Sequence, residues 1–550
     1  MTKKLLLIAV FISVFSACNT DELKLVNPNQ PTKASLTSET GIKAFATGIY
    51  EKFLGSRNDL EAVGGVGNSG FMSNICMMNN LGDDGVIHYG NFGWRFWAVY
   101  NKITLPNGTN LPHTIVPYIS MAEAMKNANS RAAGDRNGTK YEWYSAYLTI
   151  GQCNALLEAL DKTILFSGNA ATKKATLQAW ALWWKGFMYS RIGSLYLGGI
   201  INNKVGETNG NYKDRAEIIV EANRNLDLAS GLLAAITPGD ADYTSTINGL
   251  VPGFNGTGIS AANWVRMINT MKARNLVVNK KVSEMTAGDW TSVISLCNAG
   301  MTVSDSPFNY GMSADGSNDL AANFWHPNYL ANVEQDWIRV SERLVQEYKP
   351  GDQRKAKNFE PYPYDGGFSP AFRNRGLTFG TTWAFTDVEN GGKFATAANK
   401  GLWPISPTYE ENQLMLAEAK IRTNQLDAGL THVDNVRTFQ GAGIANVSGT
   451  GLNAAQAIEE FRRERRAAMA LWGLSFYDAR RWGVIDKQSA GGGRANANVL
   501  VPANVYDPEG DGIPGVYPCY IEYDYAGYWD LPANELDFNK PLEGSIAVKQ

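Results

Sequence analysis

The strongest constraint on the fold lies near the C-terminus. Leu414, Ala417 and Ile421 recur at helical spacing, then Leu426, Leu430, Val433 and Val436 do the same. Such spacing puts each set on one helix face that must find an apolar partner. The break between them, Thr423-Asn424-Gln425, is short enough to force an antiparallel helix hairpin. A third helix is expected to start at Asn453 as N-cap, with Gln456 at the capping-box position. It should run through Ile458, Phe461, Ala468 and Trp472 and stop at Gly473. Upstream stripes repeat the pattern: Tyr144, Leu148, Gly151 and Ala155; Leu177, Trp180, Trp184, Phe187 and Leu195; Ile218, Ala222, Leu226 and Ala229. Trp264, Ile268, Met271 and Leu276 follow, then Val293, Ile294 and Cys297. The expected fold class is mainly α, with helix pairs stacked in a tetratricopeptide-like arc but without that repeat's strict signature.

Two stretches break this pattern. Between 301 and 404, and again over 484–530, Gly, Asn, Pro and aromatics replace the helical stripes. Loops this long inside a compact domain usually carry function. The expected organisation is a helical scaffold, mainly 35–300 and 405–483, with an irregular, loop-rich ligand-side subdomain formed by 301–404 and 484–530. The charge balance, 50 Lys+Arg against 53 Asp+Glu, argues against a nucleic-acid partner. With 15 Trp, 24 Tyr and 22 Phe and only 19% charged residues, the chain suits recognition of a neutral polar ligand.

The first residues read as an address. Lys3 and Lys4 precede the apolar run Leu5 to Ile12, too short to span a bilayer of about 30 Å. Phe15-Ser16-Ala17-Cys18 resembles a bacterial lipobox, although Phe15 stands where Leu is preferred. The resemblance implies a signal peptide over 1–17 and a mature chain, 18–550, acylated at Cys18; several acyl chains anchor firmly. Asn19-Thr20-Asp21-Glu22 is similar to the surface-export tag of lipoproteins from the Bacteroidetes phylum. The apolar run Trp180 to Trp184 meets Lys185 and Arg191, which makes it a buried helix and not a membrane span. Cys76, Cys153, Cys297 and Cys519 lie far apart without a CxxC; an exported protein could oxidise them in any of three pairings, and buried free thiols are the default expectation.

Several segments together resemble the SusD/RagB family of outer-membrane nutrient-binding lipoproteins. They are Glu411 to Lys420 with Val433 to Arg437, Phe461 to Arg466 continuing through Leu471-Trp472-Gly473, Phe476 to Gly483, and Leu531 to Asn539. Met188 to Tyr196 and Trp264 to Asn275 also sit where the family has helices. Trp472-Gly473 replaces a common Glu-Gly, and Ala479 a frequent Leu. The resemblance implies a non-catalytic surface receptor that binds oligosaccharide and passes it to a SusC-like TonB-dependent transporter. A peptide receptor of the same family and a surface glycoside hydrolase are the alternatives.

Two aromatic clusters are candidates for the ligand site. One holds Trp94, Phe96, Trp97 and Tyr100, preceded by Asp83-Asp84 and followed by Asn101; the other holds Phe324-Trp325-His326, with Trp337 and Trp383 beyond. Three aromatic platforms would contribute about 4–5 kcal/mol by burial, a dissociation constant near millimolar before hydrogen bonds are added. At the level of region, the resemblance supports Trp97, Asn101 and Trp325, with Trp94 and Asp84 beside them. The competing assignment makes Trp97 and Tyr100 a core stripe. Trp180, Trp183 and Trp184 are expected in the core.

Other motifs weigh less. In the third helix Glu459 and Glu460 are each expected to pair with Arg463 on a solvated or inter-helix salt-bridge face. Asp507, Glu509 and Asp511 are spaced like calcium ligands, but Pro518 stands where the twelfth-position acid belongs. Gly65, Gly67 and Gly70 match a dinucleotide fingerprint by letter, with no amphipathic helix expected to begin at Gly70. His88, His113, His326 and His432 are dispersed, and no nucleophile or zinc motif is present.

Overall fold

The computed structural model describes residues 35–54, 70–87, 99–113, 120–162, 164–207, 209–250, 258–313, 338–362, 380–386, 391–397 and 400–549. In chain order the first helices are α1 (Glu39–Leu54), α2 (Gly70–Leu81), α3 (Met121–Ala128), α4 (Thr139–Leu160), α5 (Ala170–Leu195) and α6 (Arg215–Ala234). Next come α7 (Ala241–Leu250), α8 (Ala261–Val278), α9 (Ala287–Asn298), α10 (Glu342–Val345) and α11 (Gln353–Asn358). The last are α12 (Tyr409–Arg422), α13 (Leu426–Phe439), α14 (Ala454–Ala468), α15 (Ser475–Arg481) and α16 (Ala533–Phe538). The fold is mainly α, as expected. Helix α5 packs between α4 and α6, and α12 and α13 form the expected hairpin.

The stripes explain most of this packing. Leu177, Trp180, Trp184, Phe187 and Leu195 face the core from α5, and Ile218, Ala222, Leu226 and Ala229 meet them from α6. Gly186 permits the approach, because a Cβ there would come 2.7 Å from Leu226. Trp180, Trp183, Trp264 and Phe308 form an aromatic centre with ring separations of 4.8 to 6.4 Å. The Trp180 indole donates to the Ala46 carbonyl at 2.9 Å. Cys153, Cys297 and Cys519 are buried free thiols.

Three local expectations need correction. The stripe Tyr144, Leu148, Gly151 and Ala155 is the outer face of α4, with Leu148 38% exposed. The inner face carries Trp143, Ala146, Ile150 and Cys153. Helix α14 has the Asn453–Gln456 capping box but ends at Ala468, short of Trp472. Leu471 and Gly473 then take left-handed backbone, and the Leu471 N–H turns to the Asp84 carboxylate at 3.1 Å. A helix does begin at Gly70. Among its described side chains, Ile75, Met77, Met78, Asn79, Asn80 and Leu81 are all buried, polar and apolar alike, so periodicity does not mark this half of α2.

The stretches expected to be irregular contain short sheets. The strands are β1 (Gly85–Ile87), β2 (Lys102–Thr104), β3 (Asn110–Pro112), β4 (Gly198–Ile200), β5 (Tyr212–Asp214), β6 (Asn309–Ser313) and β7 (Ile338–Val340). Then follow β8 (Phe359–Pro361), β9 (Trp383–Phe385), β10 (Ala395–Ala397), β11 (Lys400–Pro404), β12 (Arg494–Val501) and β13 (Gly515–Glu522). β12 and β13 form an antiparallel hairpin, extended by β2 and β3 into a four-stranded sheet of order β12-β13-β2-β3.

The arginine-rich motifs hold these parts together. Arg465 and Arg481 both donate to Asp478 at 2.8 Å, and Arg481 reaches Glu418 of α12 at 2.6 Å. Glu464 receives Arg354 from α11 and Arg437 from α13. The expected partners of Arg463 differ: Glu459 binds Arg462, while Glu460 binds Lys349 and Arg437. Arg463 instead donates to the Gln346 and Glu347 carbonyls after α10. The face is an inter-helix network, and its centre is buried. Arg480 donates to the carbonyls of Ser194 and Val278, at the C-terminal ends of α5 and α8, and to that of Gly527. A cation there complements two helix dipoles at once.

Candidate functional site

β1 and β7 are 250 residues apart in sequence yet pair antiparallel, with Gly85 opposite Val340 and Ile87 opposite Ile338. The pairing continues backwards through the Ser341 N–H, which donates to the Asp84 carbonyl at 3.0 Å. Residues after Ile87 and residues before Ile338 therefore leave from the same end of one ladder. Trp94 and Trp97 lie in the first of these segments, and Phe324, Trp325, His326 and Trp337 in the second; all six fall outside the described residues. Cys18 does as well. Trp383 is described. It sits half-buried on β9, beside β7, with the Lys355 ammonium 4.6 Å from its ring centre. The Glu342 carboxylate ties this loop to α10 by accepting from the Thr382 backbone N–H and hydroxyl.

The two polar residues named from the sequence lie inside the protein. Asn101 is 7% exposed and donates from its amide to Glu522 at 2.6 Å, fastening β2 to β13. Asp84 is 1% exposed, beneath the ladder. Burial pushes its carboxyl up to about 6, against the pull of Arg466 at 3.7 Å and the hydrogen bond from Leu471. Asp83 beside it behaves in the opposite way. Burial alone would raise its pKa, but Arg343, helped by Arg494 and Arg466, holds it below the ordinary carboxylate range. Arg343 reaches Asp83 at 2.8 Å through Nη2 and also hydrogen-bonds the Tyr100 hydroxyl, while the Tyr523 hydroxyl donates to Asp83 at 2.7 Å. Tyr100 is buried against this cluster.

Asp84 and Asn101 thus belong to the buried polar base of these strands and present no side chain to solvent for a ligand to meet. Sequence reasoning missed Arg343, the cation that organises this base. It lies on a helix of four residues, too short to show a period.

The loop suspected of binding calcium is turned on its own backbone. Asp507 accepts from the N–H groups of Gly510 at 2.8 Å and Gly512 at 2.9 Å, and Asp511 from that of Ile513. Glu509 accepts from the Tyr517 hydroxyl at 2.7 Å. Among the described residues no cluster of three His, Cys, Asp or Glu side chains is arranged to hold a metal ion. Among them, too, no helix is long and apolar enough to cross a membrane.

Comparison with known proteins agrees with this geometry. The SusD family model matches residues 409–542, the segment from α12 to the region after α16. No curated protein matches the chain. A SusD-like carbohydrate binding protein from Bacteroides fragilis shares the fold with a TM-score of 0.59 at 16% identity, over 93% of this chain and 100% of that one. One from Bacteroides vulgatus gives 0.56 at 14% identity, over 92% and 97%. Surface glycan-binding protein A from Bacteroides thetaiotaomicron, in complex with laminarihexaose, gives 0.53 at 13% identity, over 92% and 98%. The segment 409–542 thus matches the SusD family model, and the fold is shared with SusD-like proteins along nearly the whole chain.

Proposed function

We propose that this protein is a lipid-anchored, cell-surface receptor that binds oligosaccharide without cleaving it. The observation that supports the reading is the β1–β7 ladder: Ile87 pairs with Ile338, and the sequence carries Trp94 and Trp97 soon after the first and Trp325 and Trp337 before the second. Aromatic faces drawn from both segments offer stacking area for sugar rings, and their summed burial gives weak, millimolar-range binding before hydrogen bonds. Weak binding suits a receptor that hands its ligand on to a SusC-like TonB-dependent transporter. The structurally similar surface glycan-binding protein, with its laminarihexaose, supports a glycan over other ligands. In this reading Cys18 carries the acyl chains that hold the mature chain at the outer membrane. The irregular regions 301–404 and 484–530 form its ligand side.

Titration of the purified chain against a panel of oligosaccharides and peptides, with chromatography of the ligand afterwards, tests this. Binding of a glycan that is recovered intact is the expected result. Trp97→Ala and Trp325→Ala should each weaken that binding about tenfold or more while lowering stability by less than about 1 kcal/mol. Peptide binding alone, or cleaved glycan, would overturn the reading.

A further inference from the structure

A second candidate site is built from described residues alone. The cleft between α10, α14 and the start of β12 encloses about 430 Å³, within the range of small-ligand sites. Its described lining contains no aromatic ring, so it offers a neutral sugar no stacking platform. It does offer charge: Arg343, Arg462, Arg463 and Arg494 face only Glu347 and Glu459.

The partners of these cations decide what the cleft lacks. Arg343 is taken up by Asp83 and Tyr100, and Arg462 by Glu347 and Glu459. Arg463 spends itself on backbone carbonyls. The Arg494 side chain donates no hydrogen bond among the described residues and its Nε is buried without an acceptor, although the guanidinium lies 5.9 Å from the Tyr523 ring centre and the side chain is only 11% exposed. Its closest carboxylate oxygen, on Asp83, is 3.6 Å away and already serves Tyr523. Behind it Arg466 has Nε and Nη1 without hydrogen-bond partners, and burial together with the Arg494 charge works against its protonated state. Buried guanidinium groups without acceptors are costly unless something supplies them.

The backbone is built to hold Arg494 there. The β12–β13 register shifts between Arg494 and Ala497, and Asn496 adopts φ 50°. Gln346 clamps this bulge, donating to the Asn496 carbonyl at 2.8 Å and accepting from the Asn498 N–H at 3.0 Å. Bulges of this kind re-aim a side chain.

We propose that this cleft binds an oxyanion, a carboxylate or sulfate group, on the Arg494 guanidinium with Arg463 at the rim. A planar guanidinium meets such a group through two parallel hydrogen bonds. The group is either a free anion or the acidic substituent of a saccharide. The proposal does not rest on the receptor reading, because it invokes none of the aromatic segments.

Calorimetric titration and thermal melting of the mature chain with sodium glucuronate, sodium sulfate and glucose, at constant ionic strength, test it. Glucuronate or sulfate should bind and raise the melting temperature while glucose does not. Response to both assigns an acidic saccharide or its free acid; response to sulfate alone assigns a free inorganic anion. Arg494→Gln should weaken anion binding by about tenfold or more, the worth of one charge-assisted contact. Arg494→Lys, which keeps the charge without the fork, should recover only part. If Arg494→Gln melts early without ligand, Arg463→Gln at the rim replaces it and should still weaken binding. No response to either anion, an equal response to glucose, or undiminished binding by both glutamine variants would overturn the proposal.

Discussion

Two adjacent aspartates should respond to the same substitution with opposite signs. Asp83 and Asp84 are each about 1% exposed, yet only Asp83 is satisfied as a charge. In Asp83→Asn the buried Arg343 loses its counter-charge, and breaking a buried pair from one side costs about 3–5 kcal/mol. Asp84 starts from a pKa near 3.8 when unfolded and rises to about 6 in the fold. A raised carboxyl pKa means the folded state favours the proton: the contribution is full below the unfolded pKa and is lost as pH rises through the folded one. At pH 7.5 the ionised, buried carboxylate therefore costs about 3 kcal/mol, from roughly two pKa units at about 1.4 kcal/mol each. At pH 4.5 that cost is only about 1 kcal/mol, because the unfolded chain is already mostly ionised while the folded chain stays protonated. Asp84→Asn keeps an acceptor for the Leu471 N–H and removes the charge. Its unfolding free energy relative to the native chain should rise by about 2 kcal/mol between pH 4.5 and pH 7.5. Urea unfolding followed by tryptophan fluorescence at both pH values reads this directly. A difference that stays flat with pH, or an Asp84→Asn loss as large as that of Asp83→Asn, would refute the reasoning.

Three further outcomes follow from the packing. Arg480→Met leaves the carbonyls of Ser194, Val278 and Gly527 without their donor and should cost about 3 kcal/mol or more in the same unfolding assay. Gly429→Ala brings a methyl within 2.5 Å of Ile421 and 2.8 Å of the Ala417 carbonyl across the α12–α13 hairpin, for a loss of about 1–3 kcal/mol. Millimolar calcium should leave the melting temperature unchanged, since both Asp507 oxygens accept loop N–H groups; an upward shift abolished by Asp507→Asn would restore a metal site.

The helix hairpin was legible because Leu414 to Val436 carry a clean period and one short break. α4 shows how that signal misleads. Its outer face also holds Tyr144 and Leu148, and periodicity reports which residues share a face without saying which face is covered. The four-stranded sheet left no comparable trace. β2 and β3 have three residues each, and β13 contains Pro518, opposite Asn498. The ion pairs expected within α14 follow the rule for an exposed helix, but α10, α11, α13 and α15 crowd this one and supply nearer partners. Of the residues named from the sequence, Asp83, Asp84 and Tyr100 gather in one buried cluster, while Asn101 fastens β2 to β13. Their partners, Arg343, Arg466, Tyr523 and Glu522, lie hundreds of residues downstream, and no local pattern carries that.

The pairing of Tyr520, Ile521 and Glu522 with Thr104, Ile103 and Lys102 sets an order on assembly. The early third of the chain cannot close its own sheet until the last forty or so residues have arrived. Contacts so distant in sequence slow the search for the native state. A truncation that removes residues from Gly515 onward would therefore strand the opening segments, not merely trim an end.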